Sequence, residues 1–229
     1  MRIRFINAAS DTVYTVALGG HRLSVTHTDG HAVRPKETGA FYIGMGERYD
    51  VTVTLGDGAF PLVALPFGKD GRAQALVRTA AGQAPSSEVK LPEFDADILI
   101  GSQLLPAEGT TLPAAEPDDE VHLHLTGQMA PYRWEMNGAP YGKNKPLEAT
   151  EGRRLRINVM NMSMMSHPLH LHGPAFALAD SGLRKDTLML APMDTKQIDL
   201  DPVAGDWMVH CHNIYHAESG MMILLSVAG

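Results

Sequence analysis

Short strand-like runs repeat along most of the chain, and this pattern constrains the fold more than any other feature. Helical periodicity is weak throughout the first 80 residues. Regularly spaced short strands separated by Gly- and Asp-containing turns are typical of β-sandwiches and barrels. We therefore expect an all-β fold. The strands predicted in this half are Met1–Ala8, Val13–Leu18, Arg22–Thr26, Tyr49–Leu55 and Ala73–Arg78.

The middle of the chain, residues 81–118, changes character because prolines interrupt it repeatedly. This segment is typical of a connection between domains. Strand-like runs return after it, from Val121–Thr126 to Met221–Val227. A length of 229 residues fits one or two domains, at roughly 100–200 residues each. The chain opens in mid-strand without the apolar core of a signal peptide, so we expect a fragment of a longer protein.

Composition excludes several classes of protein. The net charge is −7 and no long basic stretch is present, which argues against a nucleic-acid partner. No apolar run reaches the ~18 residues that a transmembrane helix needs. A single cysteine, Cys211, excludes an intrachain disulfide.

Two short clusters hold six of the eleven histidines and the only cysteine. The first is HPLHLHG, beginning at His167, and the second is HCHNIYHAESGM, beginning at His210. Successive side chains of a strand point to opposite faces. We therefore expect Cys211 to face one site and its two neighbours, His210 and His212, to face another.

The alternation divides the candidate ligands into two sets. One combines a thiolate, two imidazoles and a thioether, from Cys211, His167, His216 and Met221. Two histidines and a cysteine with a weak axial methionine form the blue-copper arrangement. The other set is four imidazoles, from His170, His172, His210 and His212. Zinc suits such ligands too, but it explains neither the two faces nor the methionine.

Both clusters resemble the C-terminal copper motifs of multicopper oxidases, the laccase-like family. Other segments are similar to the middle and last domains of bacterial three-domain members: RIRFINAASDT, HRLSVTHTDGHAV, IGMGERYDV, WEMNGAPYG, RINVMNMSMMSHP and LRKDTLML. The resemblance implies two cupredoxin-like Greek-key β-sandwich domains. We expect a partial one at 1–80, truncated at its N-terminus, a linker at 81–118, and one carrying the copper motifs at 119–229.

The resemblance also implies a role for each candidate ligand. The type 1 copper ligands would be His167, Cys211, His216 and Met221. His170 would hold the type 2 copper, and the type 3 pair would be held by His172, His210 and His212. Electrons from a small reducing substrate (a phenol, an amine or a metal ion) would cross from Cys211 to His210 and His212. The cluster would then reduce dioxygen to water.

This chain supplies half of the family's cluster ligands. The family uses eight histidines there, and four of them come from a first domain, which we expect to be missing from this sequence. We expect that missing domain, or another chain, to complete the cluster. The resemblance also implies a periplasmic or secreted location, as is common for bacterial members.

Other histidines, methionines and charged residues have simpler interpretations. His122 and His124 alternate with leucine, so we expect them on the polar face of a strand. The methionines that precede His167 are interpreted as adaptable packing. Arg48 and Asp50 share a strand face and are predicted to form an ion pair.

Three other functions stay open on the sequence alone. A blue-copper electron-transfer or copper-binding module without oxidase activity would use only the first ligand set. A homo-oligomer would complete the cluster between subunits, and a purely structural protein would bind no copper. The four imidazoles of the second set argue against a simple carrier.

Overall fold

The computed structural model describes all 229 residues and divides them into two compact units. The first unit is Met1–Leu104 and the second is Leu105–Gly229. The division falls inside the segment 81–118, which the sequence suggests as a linker. Strands dominate both units, and the prediction of an all-β fold is confirmed.

The first unit contains two four-stranded antiparallel sheets. Their orders are β1-β6-β3-β4 and β5-β2-β7-β8. The strands are β1 (Arg2–Ile6), β2 (Tyr14–Leu18), β3 (Leu23–Thr28), β4 (His31–Thr38), β5 (Ala40–Ile43), β6 (Arg48–Thr52), β7 (Ala59–Pro66) and β8 (Ala73–Arg78).

Much of the predicted linker is packed against the first unit. Leu91 joins a buried cluster with Ala17, Ala40 and Val63. Leu99 pairs with the edge of β5, since its N–H donates to the Ala40 carbonyl at 3.0 Å. The apolar residues between the prolines therefore extend the core of this unit, with two short 3₁₀ turns at Pro92–Asp95 and Gly101–Gln103.

The ion pair predicted between Arg48 and Asp50 is wrong. Asp50 pairs instead with Arg2 and Arg4 of the neighbouring strand β1. Arg48 lies 3.6 Å from the buried carboxylate of Asp29. Directly opposed residues of adjacent strands approach each other closely, and Arg4 stands opposite Asp50 in the β1–β6 register.

The second unit contains a six-stranded and a five-stranded sheet, of orders β10-β9-β12-β17-β14-β15 and β11-β19-β18-β13-β16. The pairs β9–β12 and β11–β19 are parallel. These sheets are consistent with a Greek-key β-sandwich. The strands are β9 (Asp119–Met129), β10 (Tyr132–Met136), β11 (Leu147–Thr150), β12 (Leu155–Asn161), β13 (His167–Leu171), β14 (Phe176–Leu178), β15 (Arg184–Lys185), β16 (Thr187–Leu190), β17 (Thr195–Leu200), β18 (Gly205–Cys211) and β19 (Met222–Ala228).

Alternation along β12 shows how this sandwich is held together. Leu155, Ile157 and Val159 are buried, while the residues between them are partly exposed. Burial of one face of each sheet supplies the main favourable free energy of such a fold. The end of β18 shows the same alternation, since Val209 and Cys211 are buried and His210 between them is partly exposed.

The one α-helix, α1, is the five-residue Ile214–Glu218. No helix of the protein has both the length and the apolar character needed to cross a membrane. The helix follows β18 directly, and it therefore turns the chain back beside the strand that carries Cys211.

The register of two neighbouring strands brings the histidine clusters together. β13 and β18 are antiparallel, with Leu169 opposite Cys211 and His170 opposite His210. Residues that lie 40 or so positions apart in the sequence therefore share a small region of one sheet, near one end of each strand.

Candidate metal centre

The first group of ligand atoms is a closed triangle of one sulfur and two nitrogens. The Nδ1 atoms of His167 and His216 are 3.1 Å apart. The Sγ atom of Cys211 lies 3.5 Å from His167 Nδ1 and 3.7 Å from His216 Nδ1. All three residues are at most 2% exposed. The triangle is thus shielded from solvent on all sides.

The size and chemistry of this triangle fit a metal ion. With metal–nitrogen and metal–sulfur distances of about 2.0 and 2.3 Å, trigonal ligand atoms would stand roughly 3.5–3.7 Å apart. The separations in the structure are within a few tenths of an ångström of these values. One thiolate with two imidazoles is a donor set that suits copper.

Burial sets the protonation of these groups. It raises the pKa of the Cys211 thiol to about 12. Burial, followed by the nearby His216 imidazole, lowers the pKa of His167 to about 3. At neutral pH the pocket therefore holds a thiol at Cys211 and a neutral imidazole at His167. A bound cation favours the thiolate, so metal binding would release a proton here.

The loop after β18 places the His216 side chain beside the Cys211 sulfur. Asn213 caps α1, and its side-chain oxygen accepts hydrogen bonds from the N–H groups of Tyr215 and His216 at 3.1 and 3.4 Å. A Ser, Thr, Asp or Asn cap satisfies N–H groups that the first helical turn leaves free. The single turn of helix thereby fixes the direction of the His216 side chain.

Met221 follows the same loop and lies beside the cysteine. Its carbonyl accepts a hydrogen bond from the Cys211 N–H at 3.1 Å, and its own N–H donates to the His216 carbonyl at 3.0 Å. The residue is fully buried. The fourth predicted member of the set is therefore held next to Cys211 and His216 through the backbone.

Two further side chains contact the imidazoles from outside the triangle. The Ser163 hydroxyl lies 2.7 Å from Nε2 of His167, which leaves Nδ1 directed at the sulfur. The Trp134 ring stacks on His216 with centroids 4.0 Å apart and meets His167 edge-on at 5.2 Å. Outer groups of this kind orient metal-ligating histidines.

A second cluster consists of imidazoles alone. Ligand atoms of His170, His172 and His210 all lie within 4.8 Å of one another. The Nε2 atoms of His172 and His210 are 3.0 Å apart. The His212 ring centroid lies 5.6 Å from that of His170 and 5.7 Å from that of His210. All four predicted histidines are therefore neighbours on one side of the β13–β18 pair.

Backbone and side-chain contacts orient this cluster as well. His170 Nδ1 lies 2.9 Å from the Asp186 carbonyl and 3.0 Å from the Thr187 hydroxyl. His210 Nδ1 lies 2.9 Å from the Cys211 carbonyl. In each ring Nδ1 is held by an oxygen, as the outer partners of metal-ligating histidines do when they fix the tautomer, and Nε2 of His210 faces Nε2 of His172 within the cluster.

Burial favours the neutral form of two imidazoles of this second cluster, those of His210 and His170. Burial lowers the pKa of His210 to about 4, against a smaller opposing effect of its hydrogen bond to the Cys211 backbone. The pKa of His170 is lowered too, chiefly by burial, while Asp186 opposes the shift. Neutral imidazole is the form that binds metals.

The two clusters are joined at one dipeptide. Cys211 belongs to the buried triangle, and His210, the preceding residue, belongs to the imidazole cluster. This separation follows from strand alternation. Apart from these clusters, His122 and His124 are exposed on β9 with ring centroids 6.2 Å apart, on a shared face as expected.

Trp134 and Ser163 are contacts that the sequence analysis missed. Neither lies in a histidine cluster, and β10, which carries Trp134, was not among the predicted strands. The segment WEMNGAPYG contains the tryptophan. Only its pairing with β9 in the folded sandwich places the ring beside His216.

Comparisons with known proteins agree with this arrangement. A sequence model described as "Multicopper oxidase" matches residues 114–228, and a second with the same description matches residues 1–83. Multicopper oxidase MmcO of Mycobacterium tuberculosis is 42% identical over 226 residues, which are 96% of this chain and 45% of that protein.

More distant relatives show the same partial coverage. A copper resistance protein A homolog of Pseudomonas syringae pv. tomato is 25% identical, over 96% of this chain and 53% of its own length. The structure of Fet3p, described as a multicopper oxidase that functions in iron import, superimposes with a TM-score of 0.84 at 19% identity, over 99% of this chain and 55% of that one. The chain spans about half the length of these relatives. Its fold is that of their cupredoxin-like domains, and the chain belongs to the multicopper oxidase family.

Proposed function

We propose that this chain is the part of a laccase-like multicopper oxidase that takes electrons from a reducing substrate and passes them toward a dioxygen-reducing cluster. The observation that carries the proposal is the junction at Cys211. One residue of the buried triangle is bonded through the backbone to His210 and His212 of the imidazole cluster. Such a junction has no use in a protein with a single isolated metal site.

In this proposal the buried triangle is the type 1 site. His167, Cys211 and His216 would hold copper, with Met221 as the weak axial ligand. Bound copper supplies a one-electron redox couple that the axial ligand and the surroundings of the sulfur tune. The protein keeps the three ligand atoms together and excludes water from them, since all three residues are buried.

The imidazole cluster would supply half of a trinuclear site. We assign His170 to a type 2 copper and His172, His210 and His212 to a type 3 pair. The peptide bonds on either side of the cysteine form a covalent route between the sites, and the contact of His210 Nδ1 with the Cys211 carbonyl at 2.9 Å adds a hydrogen-bonded one. The other half of the ligands would come from a first domain or from another chain.

The reducing substrate is proposed as a small molecule or a metal ion. Relatives named for copper resistance and for iron import favour metal ions among the candidates, and laccase-like members favour phenols and amines. A periplasmic or secreted location fits this chemistry. We further propose that residues 119–229 form the copper-bearing domain.

One alternative is a blue-copper electron carrier that uses the triangle alone. The completeness of the triangle favours it, and the second cluster of imidazoles, two of which are held through Nδ1, opposes it. A homo-oligomer that completes the cluster is a second alternative, but it would need further His-x-His pairs from each copy. Outside the two clusters the chain has one such pair, His122-Leu123-His124, which is exposed on β9.

Copper reconstitution tests the proposal directly. We expect one tightly held copper per chain with an intense thiolate-to-copper absorption, weaker copper that is lost in His172→Gln, and no efficient oxygen uptake by the chain alone. The matched control is His122→Gln, an exposed histidine outside both clusters. Absence of the absorption would refute the type 1 assignment. Unchanged copper content in His172→Gln would favour the carrier, and oxygen uptake would show that copies of the chain complete the cluster.

A further inference from the structure

Trp134 covers both imidazoles of the buried triangle. Its ring is nearly parallel to the His216 ring, at an interplanar angle of 28° and a centroid distance of 4.0 Å. It meets the His167 ring at 72° and 5.2 Å. The side chain is 1% exposed. One rigid ring therefore contacts two of the three candidate ligands and none of the solvent.

Two glycines, Gly127 and Gly220, leave space for Trp134. Gly127 stands opposite Trp134 in the β9–β10 register. A Cβ atom at Gly127 would collide with the indole ring and with the Arg133 carbonyl. A Cβ atom at Gly220, next to Met221, would lie 2.7 Å from the Trp134 carbonyl. Two glycines thus leave space where any other residue would displace the tryptophan.

The indole N–H of Trp134 has no hydrogen-bond partner. An unpaired buried donor is unfavourable, and buried tryptophans usually find a partner. Ordinary core packing is served as well by a phenylalanine, which carries no such group. The N–H group therefore contributes no contact here, and Trp134 contacts the site through the ring, which faces the two imidazoles.

We infer that Trp134 is a positioning residue of the His167–Cys211–His216 site, whose ring fixes the two imidazoles and keeps water away from them. This rests on the proposed function, because it concerns the ligands proposed to hold copper. Orientation by outer groups matters at metal sites, where removing such a group lowers metal affinity about 10–100-fold.

Two substitutions at Trp134 test the inference. Trp134→Leu removes the ring, so we expect a shifted thiolate-to-copper absorption, altered copper hyperfine splitting, and a copper affinity, measured by competition with a chelator, about 10–100-fold lower. Trp134→Phe keeps an aromatic ring over His216, and we expect it to restore most of the spectrum. A tryptophan that only filled the core would lower the thermal midpoint in the leucine variant without changing the spectrum.

A third variant moves the ring without removing it. Gly127→Ala should displace the indole and reproduce the spectral shift of Trp134→Leu. Gly152→Ala is the matched control, because Gly152 also has a positive φ, of 79°, and nothing lies within 4 Å of its would-be Cβ. An unchanged spectrum in both Trp134→Leu and Gly127→Ala would overturn the inference. If Trp134→Leu does not fold, Trp134→Phe and Gly127→Ala decide it.

The two proposals fail in different ways. If the unsubstituted chain gives no thiolate-to-copper absorption, the proposed function is wrong. If the unsubstituted chain gives that absorption and the Trp134 and Gly127 variants retain it unchanged, only the positioning role is wrong.

Discussion

The Nδ1 atoms of His167 and His216 lie 3.1 Å apart, although the two residues are 49 positions apart in the chain. The contact depends on two separate structural features, a strand pairing and a helical turn. β13 brings His167 beside β18, and the single turn of α1 brings His216 back to the end of that same strand. Both direct the nitrogens at Sγ of the one cysteine of the chain, Cys211, so this thiol is the natural first target for substitution.

Cys211→Ser should abolish the thiolate-to-copper absorption and leave the fold in place. The hydroxyl is smaller than the thiol and can hydrogen-bond to His167 Nδ1, which lies 3.5 Å from the sulfur. We expect tryptophan fluorescence and the urea midpoint to change little, while visible absorption disappears. A variant that kept the absorption would show that the sulfur is not a copper ligand.

Met221→Leu should leave copper bound and raise its reduction potential. The axial ligand of a blue-copper site tunes the potential, and leucine keeps the buried volume of Met221 without the sulfur. The neighbouring Met222, which is only partly buried, provides the control Met222→Leu. Spectroelectrochemical titration measures both. Equal potentials in Met221→Leu and the unsubstituted chain would remove Met221 from the ligand set.

Strand alternation made the division of the ligands predictable. The pattern His-Cys-His on a strand places the cysteine and the histidines on opposite faces whatever the rest of the fold. The structure accordingly puts Cys211 in one group and His210 in another. Local periodicity is enough for this feature, because it depends only on consecutive residues.

The sequence pattern did not predict which side chains of different strands contact each other. The stacking of Trp134 on His216 requires the β9–β10 hairpin and the α1 turn to meet, and neither was predicted. The ion pair expected between Arg48 and Asp50 failed for the same reason, because β1 brings Arg4 closer to Asp50. The prolines of 81–118 suggested a linker, but they do not reveal that Leu91 and Leu99 are buried.

Asn213→Ala should lower the copper affinity, because it destabilises the helical turn that positions His216. The substitution removes the acceptor for two N–H groups of α1, and loss of such a cap costs about 0.5–2 kcal/mol. We expect copper affinity to fall by roughly tenfold, which corresponds to about 1.4 kcal/mol. Isothermal competition with a chelator measures it. Asn213→Asp keeps the acceptor and should retain most of the affinity; an equal loss in both variants would contradict the capping role.

The copper-free chain should be most stable between about pH 6.5 and pH 9. Burial lowers the pKa of His167 from 6.5 to about 3 and that of His210 to about 4. Below pH 6.5 the unfolded chain therefore binds protons that the folded chain does not, and stability falls with a slope approaching about 1.4 kcal/mol per pH unit for each such imidazole. Burial raises the pKa of Cys211 from 9.0 to about 12, so above pH 9 the unfolded thiol ionises first and stability falls again.

Tryptophan fluorescence during urea unfolding at a series of pH values measures this dependence in the second unit, Leu105–Gly229. Both tryptophans, Trp134 and Trp207, belong to the unit that carries the site. Cys211→Ala removes the only thiol, and it should abolish its share of the alkaline fall while leaving the acid fall intact. His167→Gln should flatten the acid side instead. If Cys211→Ala lost stability above pH 9 as steeply as the unsubstituted chain, burial of the thiol would not be the cause.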